Sequence, residues 1–208
     1  MCRATAYRAS GDVTGNPPFS QKLTMPDTPA TIAAEQAQNL ARRLESFENQ
    51  TGGQSVEQAR IVLAESCTAG LVSALLGQVP GISRFLCGSM VTYRESTKRQ
   101  WLSVSAETLD QFTAESLETS QSLAAHVLER TPEASFSAAI TGHLGPLTGD
   151  AAPSEKDGKV FVVVAKREND STKIVSSDRI QLQSNTRIDR QYESAAAVIN
   201  ALSNALEL

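Results

Sequence analysis

The stretch RIVLAESCTAG, residues 60–70, is followed at once by the apolar run LVSALL, residues 71–76. A short run such as Ile61–Ala64, wholly apolar and opened by β-branched Ile61 and Val62, reads as a strand buried on both faces. Periodic apolar residues directly after it read as a helix, expected over about Thr68–Val79 and stopped by Pro80-Gly81. Strand followed by helix is the opening of a β-α-β unit, and the connection between them is loaded. It carries Glu65, Ser66, Cys67 and Thr68 where glycine and asparagine would make a plain turn.

Working outward, the same alternation continues. Residues 85–93 read as a second strand, Glu95–Leu102 as a short helix, and Glu107–Arg130 as helical with a break near Thr113. Residues 135–141 form a third strand and Lys159–Lys166 a fourth, with a long loop over 142–158 between them. A fifth strand over 172–183 pairs with the fourth through a turn at Asn169-Asp170. An amphipathic helix over Ile188–Leu206 closes the chain. Upstream, Thr28 or Thr31 caps a helix with Ala33, Ala37, Leu40, Leu44 and Phe47 on one face, ended by Gly52-Gly53. The order predicts a three-layer α/β/α sandwich with a mainly parallel mixed sheet. Residues 1–27 read as a disordered leader and 28–208 as one domain.

Composition narrows the function. The chain has 208 residues, 40% hydrophobic and 20% charged, with a net charge of −4. No concentrated basic face suggests nucleic acid, and no apolar run reaches membrane-spanning length. The three cysteines are odd in number and lack C-x-x-C spacing, which points to a reducing, cytoplasmic setting. With only His126 and His143 beside them, no metal site is expected.

In parallel sheets, ligands collect beyond the carboxyl ends of the strands. Three junctions meet that rule: Glu65–Thr68, Thr92-Tyr93 with Lys98 one turn on, and Thr141-Gly142. Ser66 at a strand-to-helix turn is either an ordinary cap or a nucleophile, and Lys98 either a solvated charge or its base. A hydroxyl needs a proton acceptor to attack. With histidine so scarce, a lysine whose pKa is lowered by burial is the leading one. The free N–H groups of the following helix could hold an oxyanion or a phosphate. Cys67 is the rival nucleophile, because helix N-termini favour thiolates, and His143 is its best-placed partner. Arg187 and Arg190 open the last helix against its macrodipole, so a carboxylate such as Glu65, or a substrate phosphate, should compensate them.

Three motifs, AESCTAG (64–70), GSMVTYRESTK (88–98) and ITGHLGP (140–146), together give a resemblance. The chain resembles the CinA carboxy-terminal domain family over about residues 33 to 206, and enzymatic members of that family are nicotinamide-nucleotide amidases. The resemblance implies hydrolysis of nicotinamide mononucleotide to nicotinic acid mononucleotide and ammonia, without metal or cofactor. It places the family's serine, tyrosine and lysine on Ser66, Tyr93 and Lys98. Substrate contacts are then expected from Glu65, Cys67, Thr68, Gly70, Thr141, Gly142 and Arg187. A homo-oligomer acting on a small nucleotide, with no nucleic acid or membrane partner, goes with this. The alternatives are a non-catalytic nucleotide-binding module or an amidase for another carboxamide. The chain departs from the family pattern at Ala69, where a glycine is usual, at Arg94-Glu95, and through the loop from Gly142 to Asp157.

Overall fold

A computed structural model describes residues 27–50, 59–145, 154–169 and 171–207. The expected leader (but for Asp27) and the Gly52-Gly53 helix stop lie outside these residues. Helix α1 (Pro29–Gln50) leads into β1 (Ile61–Glu65), α2 (Leu71–Gly77), a short 3-10 turn at Ile82–Arg84 and β2 (Leu86–Val91). Then come α3 (Glu95–Leu102), α4 (Ala106–Phe112), α5 (Leu117–Glu129) and β3 (Phe136–His143). Strands β4 (Lys159–Glu168) and β5 (Ser171–Gln181) precede α6 (Arg187–Ala205).

Local chemistry sets these boundaries. Ser105, Ser116 and Thr186 each accept a backbone N–H three residues on, capping α4, α5 and α6. Thr28 does the same for α1 by accepting the Thr31 N–H. The break between α4 and α5 falls at Thr113, whose φ of 72° leaves the helical region.

The five strands form one sheet in the order β2-β1-β3-β4-β5. Strands β2 and β3 flank β1 and run parallel to it, whereas β3–β4 and β4–β5 are antiparallel pairs. The sheet is mixed as expected, but its pairings divide evenly between the two kinds. Strand β4 alone runs against the others, because the connection after β3 returns as a hairpin. His143 pairs with Lys159, and Gly158 N–H donates to His143 O at 2.7 Å.

Side chains alternate across each strand, so the sheet separates two cores. On one face Leu63, Phe136, Ile140 and Val162 pack with Leu40 and Leu44 of α1, Val72 of α2 and Ile199 of α6. On the other, Val62, Ala64, Ala139 and Val163 pack with Leu102, Leu109, Leu123 and Val127 of α3–α5. This is the three-layer α/β/α sandwich. The chain leaves β1 on the first face and returns from β2 to β3 on the second. The carboxyl end of β1 is therefore the topological switch point, the position at which open α/β sheets bind their ligands.

Candidate active site

Ser66 follows β1 directly. Its N–H donates to Ile140 O at 3.1 Å, carrying the β1–β3 ladder one step further. Alternation from Ala64 places its side chain on the α3–α5 face. On neighbouring strands, Thr92 and Thr141 occupy the next register positions, since Glu65 pairs with Val91 and with Ile140. The three hydroxyl residues thus form a row, Thr92–Ser66–Thr141, at the edge of the sheet.

Lys98 reaches this row from α3. Its Nζ lies 2.9 Å from Ser66 Oγ and donates to Thr92 O at 2.8 Å. Lys98 is 1% exposed and Ser66 6%, so the pair is withdrawn from water. Burial pushes the lysine pKa below its ordinary value, while electrostatic interaction with Glu115, and less with Cys67 and Glu95, pulls it partly back. A buried amine with a depressed pKa, in contact with a hydroxyl, can accept that hydroxyl's proton.

The residues around the pair hold it in place. The turn at 66–69 is closed by Ala69 N–H to Ser66 O at 3.1 Å, with Ala69 at φ 52° and Gly70 at φ 95°. Helix α2 begins only at Leu71, because these two left-handed residues delay it beyond the expected Thr68. Its first N–H groups are not open to an anion. The Glu65 carboxylate accepts Val72 N–H and Ser73 N–H at 3.0 Å each, and the hydroxyls of Thr68 and Ser89 at 2.9 Å each. Glu65 and Thr68, expected at the substrate, are spent on this cap. Ser89, the fourth contact, was not foreseen; its place opposite Leu63 on β2 puts it on the Glu65 face.

The other expected contacts are also accounted for. The Thr141 hydroxyl donates to Ser116 O at 3.2 Å and lies 2.9 Å from Ser120 Oγ, so it ties β3 to α5. Gly142 serves close packing: a Cβ there would stand 2.6 Å from Lys159 O. Arg187 donates to Gly145 O at 3.0 Å and to the Tyr93 hydroxyl at 3.3 Å. Arg190 donates to Ser184 O at 2.8 Å and Leu144 O at 2.9 Å. Backbone carbonyls, rather than Glu65, satisfy both arginines. Tyr93 is 55% exposed, and the structure does not bring it to the pair. Alternation after Thr92 points it to the opposite face, where Arg187 meets it.

Cys67 also faces away from the row, into the α1–α2–α6 core. Burial pushes its thiol up to about 12, against weaker lowering by its own backbone N–H and by Lys98. The expected helix-activated thiolate is absent, since Glu65 occupies the helix terminus. His143 does not serve it either: its Nδ1 lies 2.8 Å from Asp157 Oδ1. The Ser154 N–H, with lesser help from His143 and Arg190, holds that carboxyl below its usual range.

A cavity of about 290 Å³ adjoins the row beyond Thr141, lined by Phe112, Glu115, Ser116, His143, Phe161 and Arg179 among others. Neither Ser66 nor Lys98 lines it. Among the described residues, no cluster of three or more His, Cys, Asp or Glu could hold a metal ion. No described helix is long and apolar enough to cross a membrane.

Fold and site together define a three-layer α/β/α domain with a buried Ser–Lys pair at its switch point. The CinA C-terminal domain family matches residues 33–206, and the chain belongs to that family. A CinA-like protein of Prochlorococcus marinus is 33% identical over 142 residues, 68% of this chain and 32% of that protein. One from Syntrophotalea carbinolica is 38% identical over 105 residues, 50% of this chain and 25% of that protein. The matched part is thus about a quarter to a third of the length of these relatives. Among solved structures, the competence/damage inducible protein CihA from Agrobacterium tumefaciens superposes with a TM-score of 0.68 at 28% identity, over 83% of this chain and 96% of that one. A competence or damage-inducible protein from Enterobacter asburiae gives 0.65 at 26% identity, over 82% and 98%.

Proposed function

We propose that this domain is a serine amidohydrolase acting on the carboxamide of nicotinamide mononucleotide. The observation that carries the reading is the 2.9 Å contact between Ser66 Oγ and a buried Lys98 Nζ. Ser66 Oγ attacks the carboxamide carbon, and its proton passes to neutral Lys98. The C–N bond then breaks and Lys98 returns the proton to the departing nitrogen, releasing ammonia. Water repeats the cycle on the resulting ester, with Lys98 again taking a proton, and the nicotinic acid product leaves.

Oxyanion stabilisation is assigned to backbone N–H groups of the turn that follows Ser66. Arg187 and Tyr93, already in contact on the rim, are assigned to the nucleotide end. The test is ammonia release from purified protein given nicotinamide mononucleotide, with free nicotinamide and other carboxamides alongside. Release from the mononucleotide in preference to the others supports the reading. Preference for another carboxamide moves the substrate and keeps the chemistry. Nucleotide binding without ammonia at any pH identifies a non-catalytic module.

A further inference from the structure

Among the described residues, three buried side-chain polar atoms have no hydrogen-bond partner: Gln36 Oε1, Thr92 Oγ1 and Ser194 Oγ. Gln36 and Ser194 belong to α1 and α6, on the far side of the sheet from Lys98. Thr92 stands in the row beside Ser66 and is fully buried. Its N–H donates to Glu65 O at 2.8 Å, continuing the β1–β2 ladder, and Met90 two residues earlier packs in the α3–α5 core. The Thr92 side chain therefore faces the same core as Ser66. Its carbonyl already accepts Lys98 Nζ at 2.8 Å. One residue thus offers the lysine a used acceptor and an unused one.

Such an arrangement costs stability in the resting protein, because a buried hydroxyl without a partner has lost its water. The proton count explains why it persists. A lysine that has taken the Ser66 proton carries three N–H donors. Ser66 Oγ and Thr92 O receive two of them. The hydroxyl at the other end of the row is engaged, since Thr141 is held by Ser116 and Ser120. Oγ1 belongs to the same residue as the carbonyl that the amine already touches, one side-chain torsion from the backbone.

We propose that the Thr92 hydroxyl is the reserve acceptor for the third N–H of proton-loaded Lys98, which makes Thr92 a positioning residue for the proton transfer. The proposal rests on the reading of Lys98 as proton acceptor. It stabilises the charge only when the charge forms, the kind of interaction that raises turnover rather than binding. The charged or titratable groups acting on Lys98 are Glu115 from the α4–α5 turn, Cys67 after β1 and Glu95 on its own helix. None of them takes the place of a direct hydrogen bond.

The experiment compares wild type, Thr92→Val and Thr92→Ser in two readouts. Valine keeps the shape and removes the hydroxyl; serine keeps the hydroxyl. In the first readout, the pH profile of ammonia release, Thr92→Val lowers the plateau kcat by about ten-fold or more and moves the rising limb to lower pH, with KM little changed. Thr92→Ser restores both. In the second, the Lys98 Cε resonance of lysine-labelled protein is followed through its titration. Its midpoint falls in Thr92→Val and returns in Thr92→Ser, whether or not the protein releases ammonia. A wild type without amidase activity but with this shift rejects the proposed substrate and keeps the lysine–threonine link. Thermal melting should show Thr92→Val at least as stable as wild type, and Thr92→Ala replaces it if it does not fold. A folded hydroxyl-free variant with an unchanged lysine midpoint overturns the proposal.

Discussion

Ser66 Oγ lies 2.9 Å from Lys98 Nζ although the two residues belong to different halves of a β-α-β step. The parallel pairing of β1 with β2 ends both strands at the same level, and α3 starts four residues after β2. A lysine on its first turn therefore projects back over the end of β1. Lys98 is among the largest fully buried side chains of the molecule. An ionisable group in that position burdens the fold.

That burden gives a stability prediction with a definite sign. The folded state lowers the Lys98 pKa, chiefly by burial, so the unfolded chain binds more protons between the folded value and the ordinary one. The destabilisation is complete below the folded-state pKa and fades as pH rises toward the ordinary lysine value. Lys98→Met should abolish activity and raise the urea midpoint at neutral pH. Its advantage over wild type should shrink as the solution becomes alkaline.

Cys67 should be dispensable. With its thiol pushed up to about 12, it stays protonated and unreactive at neutral pH. Cys67→Ala should keep ammonia release within about two-fold and lose roughly 1 kcal/mol of stability from the small cavity. In the folded wild type, iodoacetamide followed by peptide mass analysis should leave Cys67 unlabelled at pH 7.

Glu65 should matter for folding more than for binding. Its buried carboxylate receives two backbone N–H groups of α2 and two hydroxyls. Glu65→Ala strands those donors, and hydrogen bonds to charged groups contribute about 1.5–3 kcal/mol each. A loss of about 3 kcal/mol or more in urea denaturation is expected.

Ala69 should be improvable. It holds φ at 52°, a left-handed conformation costing a residue with a Cβ roughly 1–2 kcal/mol. Glycine removes that strain but adds unfolded-state entropy of about 0.4–1 kcal/mol. Ala69→Gly should therefore stabilise the domain by about 0.5–1 kcal/mol, read as a rise in thermal midpoint, with activity unchanged.

Much of this was legible in the sequence for a physical reason. The apolar run before Glu65 admits few structures, and a strand followed at once by a helix fixes where Ser66 must lie. The distance from there to Lys98 is one β-α-β step, so their meeting follows from parallel pairing. Strand alternation also carried more than was read from it: it separates Thr92 from Tyr93 and puts only the former beside Ser66. Other features depend on contacts that no local pattern announces. Glu65 looks like a ligand for a substrate or an arginine until Val72 and Ser73 are seen to claim it. The direction of β4 was hidden because a long loop allows either return. Arg187 and Arg190 needed partners, as their helix position implied, but carbonyls of the preceding segments supplied them.

The role of Ser66 as nucleophile is read most directly from ammonia release from nicotinamide mononucleotide by wild type and Ser66→Ala, measured side by side with thermal melts to confirm folding. Loss of a catalytic nucleophile costs roughly three or more orders of magnitude in turnover. Folded Ser66→Ala should show that loss; ammonia release at the wild-type rate by the folded variant would rule out Ser66 as the nucleophile.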